Sequence, residues 1–294
     1  MEIPLYDRIQ KECTKEPVYG ATFLRALYPT SRLGQVLVWP FLQVICRLPL
    51  ISAFYGWLQR RPASKKKVAP FIHSYGVCES DFEKQEFESF DAFFTRRLKK
   101  EVRPIGEGII APADGRYRFI EKIGEEDFIY AKGQQLSLGE LTGSMDRAKR
   151  FEGGSLVIAR LAPPDYHRFH YPADGIAEKP QLIPGPLFSV NPRSLQQKIS
   201  HLINNKRFIT EVEGDFGHML FIEIGATFVG SVHHTKCGAV KKGDEKGFFS
   251  FGASAVMLLF EPGRIIFKAD LFEGPKDLEV RCLMGQTIAH LKNP

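Results

Sequence analysis

Beyond Pro104 the sequence breaks into short β-rich runs divided by glycine, proline and aspartate, and this punctuation does most to restrict the fold. Gly154 to Leu161, Met219 to Val232 and Ser254 to Phe260 read as strands. Turn-like clusters separate such runs at Ala111-Pro112-Ala113-Asp114-Gly115, Tyr171-Pro172-Ala173-Asp174-Gly175 and Gly243-Asp244-Glu245-Lys246-Gly247. The first two share Pro-Ala-Asp-Gly, but turn chemistry alone favours that tetrapeptide, so two copies do not establish a repeat.

The front third has a different texture. From Asp81 to Leu98 the apolar residues Phe82, Phe87, Phe90, Phe93, Phe94 and Leu98 recur near every third or fourth position, which predicts an amphipathic helix with its aromatic face in the core. Leu33 to Leu58 is the most apolar stretch, yet it holds Gln35, Pro40, Gln43, Arg47 and Pro49. A spanning helix wants about 20 apolar residues, and a central arginine costs about 3 kcal/mol there. Helices lying in the membrane interface fit better, and Arg60, Arg61, Lys65, Lys66 and Lys67 follow to meet an anionic leaflet at roughly 1 kcal/mol each. An ordinary core helix with a solvated basic loop is the alternative. The reading is an α+β chain: a helical, membrane-associating region over residues 1–100 and a β-rich catalytic domain over 101–294.

Composition supports one or two packed domains, since 44% of the 294 residues are apolar and 12% aromatic. It excludes a disordered or low-complexity chain. The net charge of +6 favours anionic partners without choosing among nucleic acid, acidic small molecules and lipid. Five scattered cysteines without CxxC spacing argue against a disulfide framework and imply a reducing compartment. The opening Met1-Glu2-Ile3-Pro4-Leu5-Tyr6-Asp7 does not resemble a cleaved secretory signal, so the cytoplasmic side is expected.

Two places carry chemistry. Asp165-Tyr166-His167-Arg168-Phe169-His170 packs two histidines, an arginine and a carboxylate between prolines, and histidine moves protons near neutral pH. A metal reading through His167, His170, His233, His234 and Cys237 ranks lower, because neither HExxH nor paired CxxC is present. Further on, Phe251-Gly252-Ala253-Ser254-Ala255 runs through small residues into a strand, leaving a backbone carbonyl open to attack. Taken alone, Ser254 reads more readily as a packed strand serine than as a nucleophile.

In order along the chain these segments resemble the phosphatidylserine decarboxylase family from roughly Phe90 to the C terminus. Phe93-Phe94-Thr95-Arg96 and Val102-Arg103-Pro104 are similar to its FFxR and RPI segments, Pro112-Ala113-Asp114-Gly115 to its PxDG, and Asp165 to His170 to its DYHRxH. Leu187-Phe188-Ser189-Val190-Asn191 resembles its LFSVN, and Gly225-Ala226-Thr227-Phe228-Val229-Gly230-Ser231 its GATxVGS. The family's closing LGST or FGGST departs here to Gly252-Ala253-Ser254-Ala255, and the added Cβ of Ala253 is expected to crowd the scissile carbonyl and slow processing.

The resemblance implies self-cleavage between Ala253 and Ser254 by Asp114, His170 and Ser254. It also implies conversion of Ser254 to a pyruvoyl cofactor and a decarboxylation role for His167. The pyruvoyl carbonyl is then the electron sink for loss of CO2 from phosphatidylserine, giving phosphatidylethanolamine. Residues 1–253 and 254–294 are the implied larger and smaller chains, associated and probing anionic lipid as a homo-oligomer on the inner face of the cell membrane. Arg168 is a candidate for the lipid phosphate, Asp174 reads as a turn residue, and no metal or nucleic acid is implied. A serine hydrolase with an Asp-His-Ser triad is the rival, although GxSxG is absent around Ser254. A membrane-binding scaffold without activity is the third reading.

Overall fold

The computed structural model describes residues 2–18, 20–124, 136–227, 231–252 and 254–292. Its centre is an eleven-stranded sheet whose middle runs Arg207–Gly214, Gly217–Gly225, Ser254–Phe260, Ser155–Leu161, Gly115–Ile120 and Glu279–Cys282. All these neighbours are antiparallel. Side chains alternate across the sheet, as a strand's period of two requires. Val256, Leu258 and Phe260 enter one apolar cluster, while Ala255, Met257 and Leu259 enter the other. Both faces are therefore covered, and the strand is a continuous apolar run for that reason. Emptying one such position, as in Leu258→Ala, costs about 2–5 kcal/mol.

Two three-stranded sheets complete the body. One joins Val232–His234, Glu245–Phe249 and Arg168–His170; the other joins Ile265–Phe267, Thr287–Leu291 and Ile109–Ile110. The expected run from Met219 to Val232 is shorter than read: its strand ends at Gly225, and residues 228–230 lie outside the described part.

The front third corrects two expectations. It does not begin as helix: Glu2–Asp7 and Glu12–Pro17 form a hairpin that extends the large sheet, with Leu5 to Asp7 parallel to Glu279 to Arg281. Pro4 is tolerated because it lies past the end of that parallel pairing. Helices Ala21–Leu27, Arg32–Arg47, Pro49–Arg60 and Val68–Tyr75 follow. Ser31 caps the second by accepting from the Gly34 amide at 3.2 Å, and Leu48-Pro49 breaks the path into the third.

Secondly, Asp81 to Leu98 is not one helix. Only Phe90–Phe94 is helical, started by Ser89 accepting from the Ala92 amide, while Phe82 bridges back to Leu98. The aromatic residues are in the core as expected. They reach it from a loop and a single helical turn, gathering Phe71, Phe82, Phe90, Phe93, Phe94 and Phe251.

Candidate active site

Ser254 opens the central strand, directly beside Leu161 and Gly225. It is wholly buried, and its Oγ has no hydrogen-bond partner. Gly252 ahead of it has φ +135°, a backbone state that favours glycine. Ala253 lies outside the described residues, so its expected crowding effect has no structural counterpart.

Asp114 ends the turn that leads into Gly115–Ile120. Glycine is needed next, because a Cβ at Gly115 would stand 2.9 Å from the Arg160 carbonyl oxygen. The Asp114 carboxylate accepts from Arg103 Nε at 2.9 Å and from the Met284 amide at 2.8 Å. Those donors, and not His170, hold it in the uncut chain.

His170 closes the strand Arg168–His170. Its Nδ1 lies 2.9 Å from the Gly243 carbonyl oxygen, which can only accept, so the proton is on Nδ1. The Nε2 lone pair then accepts from the Tyr166 hydroxyl at 3.3 Å. Burial is the main cause that lowers the His170 pKa.

His167 follows the same logic with a different outcome. Its Nδ1 donates to the Asp165 carbonyl at 3.0 Å, and its buried Nε2 has no partner. Burial takes its pKa down to about 3, so the ring is neutral at pH 7 with an open acceptor. The ring rests on Phe94 at 3.8 Å, and Phe94 touches Phe251 of the loop that leads to Ser254. Two buried polar atoms without partners, Ser254 Oγ and His167 Nε2, thus occur around one loop. Buried polar atoms are nearly always paired, so each such exception calls for an explanation.

The structure removes Arg168 as the phosphate ligand. Its guanidinium donates to Glu245 at 2.9 Å and to the Thr95 carbonyl at 2.8 Å, clamping the Asp165–His170 segment to the Phe90–Phe94 turn. Asp174 is indeed on an exposed turn, against Lys241 Nζ at 2.9 Å. Among the described residues no three His, Cys, Asp or Glu side chains converge as metal ligands.

A cavity of 910 Å³ lies over the site, lined by Asp114, Tyr166, Phe251 and Gly252, with the N-terminal hairpin as one wall. Arg116 joins that wall to the Asp165–His170 segment by pairing with both Glu16 and Asp165.

A model of the phosphatidylserine decarboxylase family matches residues 90–290. The phosphatidylserine decarboxylase proenzyme of Chlamydia pneumoniae is 41% identical over 298 residues, covering 98% of this chain and 97% of the relative. That of Chlamydia muridarum is 44% identical over 283 residues, covering 93% and 92%. The chain belongs to the phosphatidylserine decarboxylase family. The family model begins after the hairpin and most of the helices, whereas the chlamydial decarboxylases align over them as well.

Sequence reasoning missed Tyr166, Arg103, Arg116 and Glu16 as parts of this decarboxylase site. Tyr166 and Arg103 lay inside quoted motifs. Glu16 gave no signal, being a hundred residues from its partner.

Proposed function

We propose that the chain cuts itself before Ser254, turns that serine into a pyruvoyl group, and decarboxylates phosphatidylserine to phosphatidylethanolamine at a membrane surface. The observation that carries this reading is the buried, partnerless Ser254 Oγ behind a positive-φ glycine. In the first step His170 Nε2, released from Tyr166, takes the Ser254 Oγ proton, and Oγ attacks the carbonyl carbon of residue 253. The C–N bond breaks and an ester forms. Loss of the Ser254 α-proton then expels the residue 253 carboxylate, leaving dehydroalanine, and water converts this to pyruvoyl with release of ammonia.

When formed, the pyruvoyl carbonyl supplies the electron sink for loss of CO2 from the serine head group. The chain's own residues do the rest. Arg103 and the Met284 amide fix Asp114, whose negative charge favours a protonated His170. His167 Nε2, an open acceptor, takes up a proton from the substrate's ammonium group and returns it to the carbon losing CO2. The Phe94 ring against it keeps water away.

The helices Arg32–Arg47 and Pro49–Arg60 expose Leu33, Leu37, Phe41, Leu50, Phe54 and Trp57. Among the described residues no single helix is long and apolar enough to cross a membrane. Exposed apolar faces followed by a basic run support insertion of these helices into the headgroup layer of an anionic leaflet, on the cytoplasmic side.

Intact mass under denaturing conditions tests the maturation, comparing wild type with Ser254→Ala. Two chains from wild type, the smaller starting with a pyruvoyl mass, and one chain from Ser254→Ala are expected. One uncut chain from both refutes self-processing. Release of CO2 from phosphatidylserine by the cut protein tests the substrate. The hydrolase reading lacks its strand-to-helix elbow, since Ser254 opens a strand.

A further inference from the structure

The arginines around the large cavity are already committed. Arg103 is held by Asp114, Arg116 by Glu16 and Asp165, Arg160 by Glu279, and Arg281 by Asp7. Arg96 donates to the carbonyls of Phe93, Pro164 and Asp165. A second pocket of 320 Å³ shares Phe251 with the large cavity, whose lining mixes cations with carboxylates. Arg47, Arg60 and Lys206 line it together with Ser52, Ser231 and Ser250, and no carboxylate does. Neither Arg47 nor Arg60 pairs with a carboxylate among the described residues.

Position adds a second argument. Arg47 ends the helix Arg32–Arg47 and Arg60 ends Pro49–Arg60, so both stand at the border of the exposed apolar faces. Arg60 folds back over Gly56, with Nη1 3.7 Å from where a Cβ on that glycine would sit. On the inner side, Ser250 and Phe251 belong to the cleavage loop, and the Phe251 ring packs on Tyr55 of the second helix at 5.7 Å. From outside inward the order is apolar helix face, Arg47 and Arg60 with serine hydroxyls, and the loop that leads to Ser254. Apolar tails, phosphodiester and amino-acid head group of a phospholipid follow the same order.

We propose that Arg47 and Arg60, with Lys206, form the subsite that takes the phosphodiester anion of the substrate. This rests on the lipid-decarboxylase reading, and it assigns the phosphate to cations outside the large cavity, whose arginines are committed. An arginine holds a phosphate through charge-assisted hydrogen bonds, and loss of such contacts lowers affinity roughly 10- to 100-fold.

The test uses the full chain carrying Ser254→Ala, which stays uncut, titrated calorimetrically with dihexanoyl-phosphatidylserine below its micelle concentration. Dihexanoylglycerol, with the same tails and no phosphate, is the control. Adding Arg47→Ala and Arg60→Ala together should weaken phosphatidylserine binding at least 10-fold and leave dihexanoylglycerol unchanged, while Arg47→Lys with Arg60→Lys retains most of the affinity. Unchanged phosphatidylserine affinity overturns the proposal, and so does an equal loss for both ligands, which would assign the arginines to tail packing. A thermal midpoint near that of the parent certifies the fold; if the double variant falls short, Arg47→Gln and Arg60→Gln carry the test singly. Because no turnover is read, failure here is distinct from failure of the wild type to release CO2, which would refute the parent reading.

Discussion

Lys246 and Glu223 form an ion pair in which both side chains are fully buried, and the pair backs the strand that carries His170. Among the described residues, Lys246→Met leaves the Glu223 carboxylate with one hydrogen-bond partner, His234 Nε2 at 3.4 Å. A stranded buried carboxylate escapes by taking a proton, and that escape sets the ceiling of the penalty. Neutralising a glutamate of ordinary pKa ~4.3 at pH 7 costs about 4 kcal/mol, at ~1.4 kcal/mol per pH unit. At pH 5 the same step costs about 1 kcal/mol. The sign follows from linkage: the folded variant binds a proton that the unfolded chain does not, so its deficit shrinks as pH falls. Burial also lowers the Lys246 pKa, against the pull of Glu223, which makes the lysine a poor charge once unpaired. Lys246→Met with Glu223→Gln removes both charges and should recover most of the loss. Urea unfolding of the uncut Ser254→Ala chain at pH 7 and pH 5 reads all three variants. A Lys246→Met deficit that is under 1 kcal/mol, or the same at both pH values, would refute the reasoning.

Three further outcomes are expected. His167 is buried neutral with its pKa lowered from 6.5 to about 3, so its contribution is whole above pH 6.5 and is lost as pH falls toward 3. That is about 5 kcal/mol at ~1.4 kcal/mol per pH unit, and on the uncut Ser254→Ala background a His167→Gln chain whose acid unfolding matches its parent would contradict it. Tyr166→Phe frees the His170 lone pair from a bond worth roughly 1 kcal/mol, so the smaller chain should appear roughly 2- to 10-fold faster at pH 7, and slower appearance would contradict the latch. Arg116→Met strands both Glu16 and Asp165 and should destabilise by about 3–5 kcal/mol, whereas Glu16→Gln leaves the Arg116–Asp165 pair and should cost about 1 kcal/mol; equal urea midpoints for the two would overturn that ranking.

The site was legible where function crowds unlike groups into a few residues, as from Asp165 to His170. It was illegible where partners are distant, because nothing near Glu16 announces Arg116. The body's strands showed in the apolar runs, since burial on both faces needs every residue from Ala255 to Phe260 to be apolar. The aromatic period from Phe82 to Leu98 reported which residues are buried and not what backbone carries them. The acid-rich stretch between Phe82 and Ser89 loops, and Ser89 starts the helix only at Phe90. The N-terminal hairpin escaped notice because its turn carries no glycine, Lys11 taking the positive φ, and its docking escaped because the partner strand lies near the far end of the chain.

The place of Ser254–Phe260 in the middle of the sheet has a consequence for the lifetime of the enzyme. A chain cut before Ser254, as proposed, leaves a smaller piece threaded between Gly217–Gly225 and Ser155–Leu161, also supplying Glu279–Cys282 and Thr287–Leu291. The nick changes no strand neighbour, so the native state survives it. Reversibility does not: refolding of the precursor is unimolecular, whereas two separated pieces must first meet, and a piece this short has too little core to wait in folded form. Maturation thus converts a molecule protected by equilibrium into one protected by the slowness of its unfolding.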